Sequence, residues 1–294
     1  MKMTTDIILP NRITADDVAV LANKFIDINK RPKDEIINID INYIYFTEPA
    51  GVVLLFNLFK LLDDQIEIVI FDNGSNNLGK RYLYDSGIFD EFLSEVPRKN
   101  RRGTILTLKD IGTEEYYQWH NSTLLHWLRS CTNRYKNDFT AIKTTIEEIF
   151  NNIKDHSKVN SGSVYGQYYP KNDELVIVLA DFGIGIPTAL RNSEKFDSDL
   201  SDSALILKAF EEGVSTESTP GNRGAGLPNI KRLTNNRVST IQVISNCGRL
   251  RLANGKIDSF GDSIYNYSGT FFEIRIDISN LSLYDDEAEE EFEW

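Results

Sequence analysis

Cysteine is nearly missing from this 294-residue chain: only Cys131 and Cys247 occur, far apart and outside any CxxC or His-containing ligand spacing. Neither a disulfide framework nor a thiolate metal centre fits that spacing, and two reduced thiols in a cytoplasmic protein are the plain reading. Long apolar runs are missing too. The longest candidate, Gly51 to Leu62, is broken by Asn57 and Lys60, short of the roughly 18 residues a membrane-spanning helix needs. The N-terminus, M-K-M-T-T-D-I-I-L-P, has a lysine but neither an adequate apolar core nor a small-residue cleavage site, so no export signal is expected. Basic residues are in the minority, 32 Lys and Arg against 44 Asp and Glu, for a formal net charge of −12. That balance disfavours broad electrostatic binding to nucleic acid, and the basic cluster at Arg98 to Arg102 reads as a solvated interdomain linker.

What is present, 41% hydrophobic and 26% charged residues, is the composition of a globular protein long enough for two domains with a core each. Residues 1–97 alternate β-branched runs (Asp6 to Leu9, Ile36 to Ile41, Ile66 to Phe71) with helical periodicity (Ala15 to Ile28, Val52 to Leu62). That β-α-β-α-β-α order suits a compact α/β layer. Within it, I-N-I-D-I-N-Y-I-Y-F-T-E-P-A-G-V-V-L-L-F-N-L-F-K-L-L resembles the sulfate-transporter and anti-sigma-antagonist (STAS) fold. Members of that family place an Asp-Ser-Ser/Thr-Gly turn after the central strand, where this chain has Glu48, Pro49, Ala50 and Gly51. Neither Pro49 nor Ala50 carries a hydroxyl, so the phosphorylation that controls many antagonists is not expected at this turn.

Residues 98–139 read as a linker and helical segment whose aromatic stripe packs on the following domain: Tyr116, Tyr117, Trp119, Trp127 and Tyr135, with Leu124, Leu125 and Leu128. A homodimer contact is the other role open to that stripe, and His120 and His126 read as polar members of an amphipathic helix. The second domain, residues 140–284, opens with a long helix from Thr140 to Lys158. Strands at Ser163 to Tyr169 and Glu174 to Ala180 follow, turning at Lys171-Asn172-Asp173. Residues 285–294 pack seven carboxylates around Ala288, Phe292 and Trp294, a self-repelling run expected to be a solvated tail, with a docking peptide as the alternative.

Three segments carry chemistry. Glu148, Asn152 and Asp155 stand at i, i+4 and i+7 of the long helix, which puts two carboxylates and an amide oxygen on one face, a donor set suited to Mg²⁺. Asp181-Phe-Gly-Ile-Gly-Ile leaves the apolar strand L-V-I-V-L-A: Gly183 and Gly185 permit a sharp turn before Ile186, and Asp181 can accept a hydrogen bond from an exocyclic amine. Gly221-Asn-Arg-Gly-Ala-Gly-Leu then runs into a helical pattern with Pro228 in its first turn, where free backbone N–H groups bind phosphate oxygens. The D-F-G lacks the other protein-kinase motifs, and the glycine loop lacks the G-K-[ST] ending of a Walker A loop.

Together, and with Gly269-Thr270 before the strand F-F-E-I-R-I, these segments resemble the GHKL superfamily of ATP-binding domains, from about Thr140 to Ile278. The superfamily spans type II topoisomerase subunits, heat-shock chaperones, mismatch-repair ATPases, histidine kinases and anti-sigma-factor kinases. The resemblance implies an α/β (α+β) chain: a STAS-like domain followed by a GHKL sandwich, a mixed sheet with helices on one face. It also implies ATP and Mg²⁺ as cofactors, with Asn152 holding the metal and Asp155 beside it. Asp181 would read the adenine amine in a turn shaped by Gly183, Gly185 and Ile186, with Thr270 in support. Gly224, Ala225, Gly226 and Leu227 would cradle the phosphates, under a mobile lid at Pro187 to Asn222. Glu148 would be catalytic, activating water in the hydrolysing branches or a serine hydroxyl in the anti-sigma-factor kinases. His156 sits where those kinases often have a histidine, while Asp155 matches the topoisomerase and chaperone branches. No histidine lies in an H-E-x-x-x-P-like context, which argues against a sensor histidine kinase. An ATP-gated switch with slow hydrolysis and an unidentified protein partner is favoured. A protein serine/threonine kinase and a non-catalytic ATP-binding module remain the alternatives.

Overall fold

The computed structural model describes residues 3–75, 77–92, 103–112, 115–156, 161–193, 199–211, 227 and 239–279. The N-terminal unit is built from β1 (Thr4–Ile8), β2 (Arg12–Ile13), α1 (Val18–Phe25), β3 (Ile36–Asp40), β4 (Phe46–Thr47), α2 (Pro49–Leu62), β5 (Glu67–Phe71), α3 (Leu78–Ser86) and α4 (Ile88–Phe92). Strands β1, β3 and β5 form a parallel sheet in that order, and β2 pairs with β4 as a short parallel ribbon. The second unit starts inside the stretch expected to be linker and helix, with β6 (Ile105–Gly112). It continues through α5 (Tyr116–Trp119), a π-helical turn at His120–Leu124, α6 (Leu125–Thr132), α7 (Thr140–His156), β7 (Ser161–Tyr169) and β8 (Glu174–Asp181). The last elements are α8 (Ile186–Asn192), α9 (Asp202–Ala209), β9 (Ser239–Ala253) and β10 (Lys256–Asp277). Its sheet has the order β6-β7-β8-β10-β9 with every pairing antiparallel, not the mixed sheet with helices on one face expected for this unit.

Both faces of this five-stranded sheet are covered. Alternate residues of β8, Leu175, Ile177 and Leu179, pack with Ile142, Ile146, Ile149 and Ile153 of α7. Val178 and Ala180 point the other way, into a core shared with α1 and α2 of the N-terminal unit. A strand buried on both faces needs no polar alternation, which is why L-V-I-V-L-A is uninterrupted. Helix α2 is buried for the same reason: it lies between the two sheets, and of its residues only Lys60 is exposed. Pro49 begins it at a position where a missing N–H costs nothing, with Glu48 extended at the N-cap. Asn57, the apparent break in the apolar run, is buried and accepts a hydrogen bond from the Ser163 hydroxyl of β7.

Some local expectations change. His120 is a core residue, its ring against Tyr116 and its Nε2 3.0 Å from the Lys143 carbonyl, rather than a polar member of an exposed face. Tyr117 and Tyr135 of the aromatic stripe are exposed, whereas Tyr116, Trp119, Trp127, Leu124 and Leu128 enter the core under α7. Much of the expected lid is packed structure: Leu190 of α8, with Leu205 and Ile206 of α9, enters the core beneath β9. Ser201 caps α9, and Asp202 stands in its first turn. The remainder of the lid, residues 194–198 and 212–222, lies outside the described residues, as does the acidic tail.

The units are joined by charge as well as by apolar contact. Arg275 of β10 reaches Glu48 at the start of α2, its own neighbour Glu273 (Nε to Oε1 2.8 Å) and Glu174 (3.8 Å), while Arg12 reaches Glu48 at 3.1 Å. Glu273 is only 3% exposed, and burial raises its carboxyl above the usual range despite the guanidinium beside it. Removing one partner of such a group leaves a buried charge uncompensated. Arg275→Met is expected to lower unfolding stability by about 3–5 kcal/mol at neutral pH, and Arg275→Met/Glu273→Leu to recover part of that loss. Urea denaturation of the three proteins checks this; an additive double mutant would contradict it.

Candidate functional site

The apolar face of the five-stranded sheet that packs on α7 ends in polar residues. Asp181, the last residue of β8, stands opposite Thr270 of β10, and Thr270 in turn stands opposite Ser245 of β9. Their relative exposures are 3%, 6% and 0%, so three adjacent strands bring a carboxyl and two hydroxyls into one buried row. The row is internally bonded. Ser245 Oγ accepts from the Ile186 N–H (2.9 Å) and donates to the Gly269 carbonyl (2.7 Å). A hydroxyl has one proton, so in the 3.0 Å contact between Ser245 Oγ and Thr270 Oγ1 the threonine is the donor.

Asp181 accepts from the Gly183 N–H at 2.5 Å, which folds the chain back as a short turn. Burial pushes its carboxyl up to about 7, while Gly183, Lys30 and the Thr270 backbone pull in the opposite direction. Gly185 has φ +82°, and a Cβ there would come within 2.1 Å of Asn246 Oδ1. Gly269 has φ +139°, and its Cβ would fall 2.1 Å from the Asp181 carbonyl oxygen. Glycine is therefore required at both positions for backbone conformation and for space. Asn246 Oδ1 is buried and has no hydrogen-bond partner among the described residues, an acceptor beside the turn.

Helix α7 rests directly on this end of the sheet. Gly162 precedes Ser163, the partner of Ala180, and a Cβ on it would lie 2.8 Å from Ile153 Cδ1. Glu148 and Asn152 are both half-buried at the margin of the helix's apolar stripe. The Asn152 amide donates to the Glu148 carbonyl at 2.7 Å, so Asn152 Oδ1 is the atom left for a ligand. Glu148 lies near Tyr116, whose hydroxyl is raised by burial and by the charges of Glu147 and Glu148. Among the described residues no group of three or more His, Cys, Asp or Glu is placed to hold a metal ion.

The sequence-derived residues Asp181, Gly183, Gly185, Ile186 and Thr270 thus come together in one turn and strand end, with α7 above it. Leu227 is buried in the same core, while Gly224, Ala225 and Gly226 lie outside the described residues, as does the Asp155 side chain. Ser245, Asn246 and Lys30 were not foreseen. Ser245 and Asn246 sit in a strand without a motif, and Lys30 lies more than 150 positions from the turn it reaches.

No protein family and no curated protein sequence matches the chain. Among solved structures it is similar to the ATP-binding domain of topoisomerase IV of Francisella tularensis in complex with a small-molecule inhibitor. That match has 15% identity and a TM-score of 0.27, and covers 59% of this chain and 42% of that one. At that score the likeness carries no weight for the chemistry, which rests on the residues described above. No helix among the described residues is long and apolar enough to cross a membrane.

A carboxyl whose folded value is raised binds its proton more tightly folded than unfolded, so its contribution to stability falls as pH rises from about 4 to about 7. Asp181→Asn should therefore be close to wild type at pH 4 and more stable above pH 7, by at most about 4 kcal/mol. Urea midpoints across that range test this in ligand-free protein; a difference independent of pH would show that Asp181 is not the titrating group.

Proposed function

We propose that the chain is an ATP-binding switch of the GHKL type, an N-terminal STAS-like unit joined to a nucleotide-binding unit, with slow Mg²⁺-dependent hydrolysis coupled to a protein partner. The observation that carries this reading is the buried row Asp181–Thr270–Ser245 beside a glycine turn, at the end of a sheet face that is otherwise apolar. A flat ring bearing an exocyclic amine suits that place: Asp181 accepts from the amine, and Asn246 Oδ1 supplies a second acceptor.

In this reading Asn152 Oδ1 would hold Mg²⁺, which when bound would neutralise phosphate charge. A site with a single side-chain oxygen suits that ion, which completes its shell with phosphate oxygens and water. Glu148, one turn earlier on α7, would orient and deprotonate the attacking water. Gly224, Ala225, Gly226 and Leu227 would receive the phosphates, and Asp155 would stand by the metal.

Because an ionised Asp181 accepts from the amine more strongly than a protonated one, ATP affinity should rise through pH 7, by up to roughly tenfold between pH 6 and pH 8, and Asp181→Asn should remove that dependence. Calorimetric titration at several pH values measures it, and an affinity that falls with rising pH would rule the contact out. For turnover, Glu148→Ala should lower phosphate release by roughly 10²-fold or more with ATP binding retained, while Asn152→Ala should weaken Mg²⁺-ATP binding itself. Unchanged turnover in Glu148→Ala would remove that residue's catalytic role. With γ-labelled ATP, label passing to a protein serine instead of free phosphate would replace hydrolysis with the kinase reading.

A further inference from the structure

The N-terminal unit does more than cover the sheet, because it touches the turn that follows Asp181. Between α1 and β3 the chain makes a tight loop organised by Asp27, whose carboxylate accepts from the N–H groups of Asn29 (2.8 Å) and Arg31 (2.9 Å). The loop puts Lys30 in a left-handed conformation, φ +64°, from which its ammonium reaches across the interface. There it donates to the carbonyls of Phe182 and Gly183, the latter at 2.8 Å.

The same segment holds the opposite strand. Ser268 Oγ donates to the Ile28 carbonyl at 3.3 Å, and the Asn23 side chain pairs with both backbone groups of Asn266. Between these anchors Phe182 stacks on Tyr267, with ring centroids 5.2 Å apart. The loop therefore grips the chain just after Asp181 and just before Gly269-Thr270, the two sides of the buried row.

We propose that Lys30 is a positioning residue for base recognition: by tying down two consecutive carbonyls it sets the turn whose N–H orients Asp181, and so gives the site its preference for an exocyclic amine. This rests on the ATP-binding reading above. With the Phe182 carbonyl held on the interface side, the N–H of the same peptide, that of Gly183, is directed at the Asp181 carboxylate. Without the ammonium the two carbonyls lose a charge-assisted donor, and a glycine-containing turn has little of its own to hold that shape. Loss of aim at Asp181 affects a ring that presents an amine there and leaves one that presents a carbonyl nearly unaffected. Phosphate contacts are common to both. The burial of Lys30, which lowers its proton affinity while the Asp181 charge raises it, is consistent with a short link between the two groups.

The test compares binding of ATP and inosine triphosphate to the full chain in wild type, Lys30→Met and Lys30→Arg, with urea midpoints recorded for each. The two nucleotides differ at the exocyclic amine. Wild type is expected to prefer ATP. Lys30→Met should reduce the ATP-to-ITP affinity ratio by at least roughly tenfold, with ITP affinity changed less than about twofold, and Lys30→Arg should restore most of the ratio. A parallel loss for both nucleotides, or an unchanged ratio, would mean that Lys30 is a strut between the units and would overturn the proposal while leaving ATP binding intact. If Lys30→Met does not fold, the ratio in Lys30→Arg and Lys30→Gln decides in the same way, Arg retaining it and Gln losing it. A wild type that binds neither nucleotide would instead defeat the ATP-binding reading, and this inference with it.

Discussion

Burial of both faces of the five-stranded sheet governs most of what this chain does with its polar groups. With α7 to α9 on one side and α1 and α2 on the other, the middle of β8 has no exposed surface on which a polar side chain could be hydrated. An unpaired polar group there would cost several kcal/mol, and the polar residues of β8 itself, Glu174 and Asp181, stand at its two ends. Asp181 belongs to the row with Thr270 and Ser245, and Glu174 lies toward Arg275, which also meets Glu273 opposite Val178 in the middle of β8. The same constraint makes α2 apolar all round and turns its one amide, Asn57, into a partner for Ser163.

The two ends handle charge differently. At the Arg275 end a guanidinium meets three carboxylates and links the units, a structural use in which each charge has an opposite within reach. At the Asp181 end the carboxyl is held by backbone N–H groups of Gly183 and Thr270, near one lysine whose hydrogen bonds go to carbonyls. A carboxyl held near 7 works against folding at neutral pH, because burial opposes its charge. A local arrangement that costs stability and persists is a common mark of a ligand site, where a donor brought by the ligand completes what the protein leaves open.

Local pattern made a large part of this legible. Thr140–His156, Glu174–Asp181 and Pro49–Leu62 follow from hydrophobic periodicity, length and N-terminal proline, and the structure places them within a few residues of the expected bounds. Gly185 was recognisable as a turn residue from the D-F-G-I-G-I run, and its φ of +82° is one that favours glycine. The strand at Ile105–Gly112 was missed because its partner, β7, lies some fifty residues on and nothing in its own short alternation specifies that pairing. His120 was misplaced because its acceptor, the Lys143 carbonyl, belongs to another helix, so the satisfied core histidine cannot be told locally from a surface one.

The amino-acid order by itself determined the helices α2 and α7 and the strand β8, the glycine turn after Asp181 and the face shared by Glu148 and Asn152, since each depends on residues within a few turns of chain. Tertiary structure alone decided that Ser245 completes a row with Thr270 and Asp181, that Asp181 is buried deeply enough to hold its proton near neutrality, and that Lys30 of the N-terminal unit secures the turn. The physical reason is range. Backbone angles and side-chain periodicity are set by neighbours, whereas desolvation and hydrogen bonding across a sheet depend on what packing brings to within 3 Å, and that includes residues separated by most of the chain.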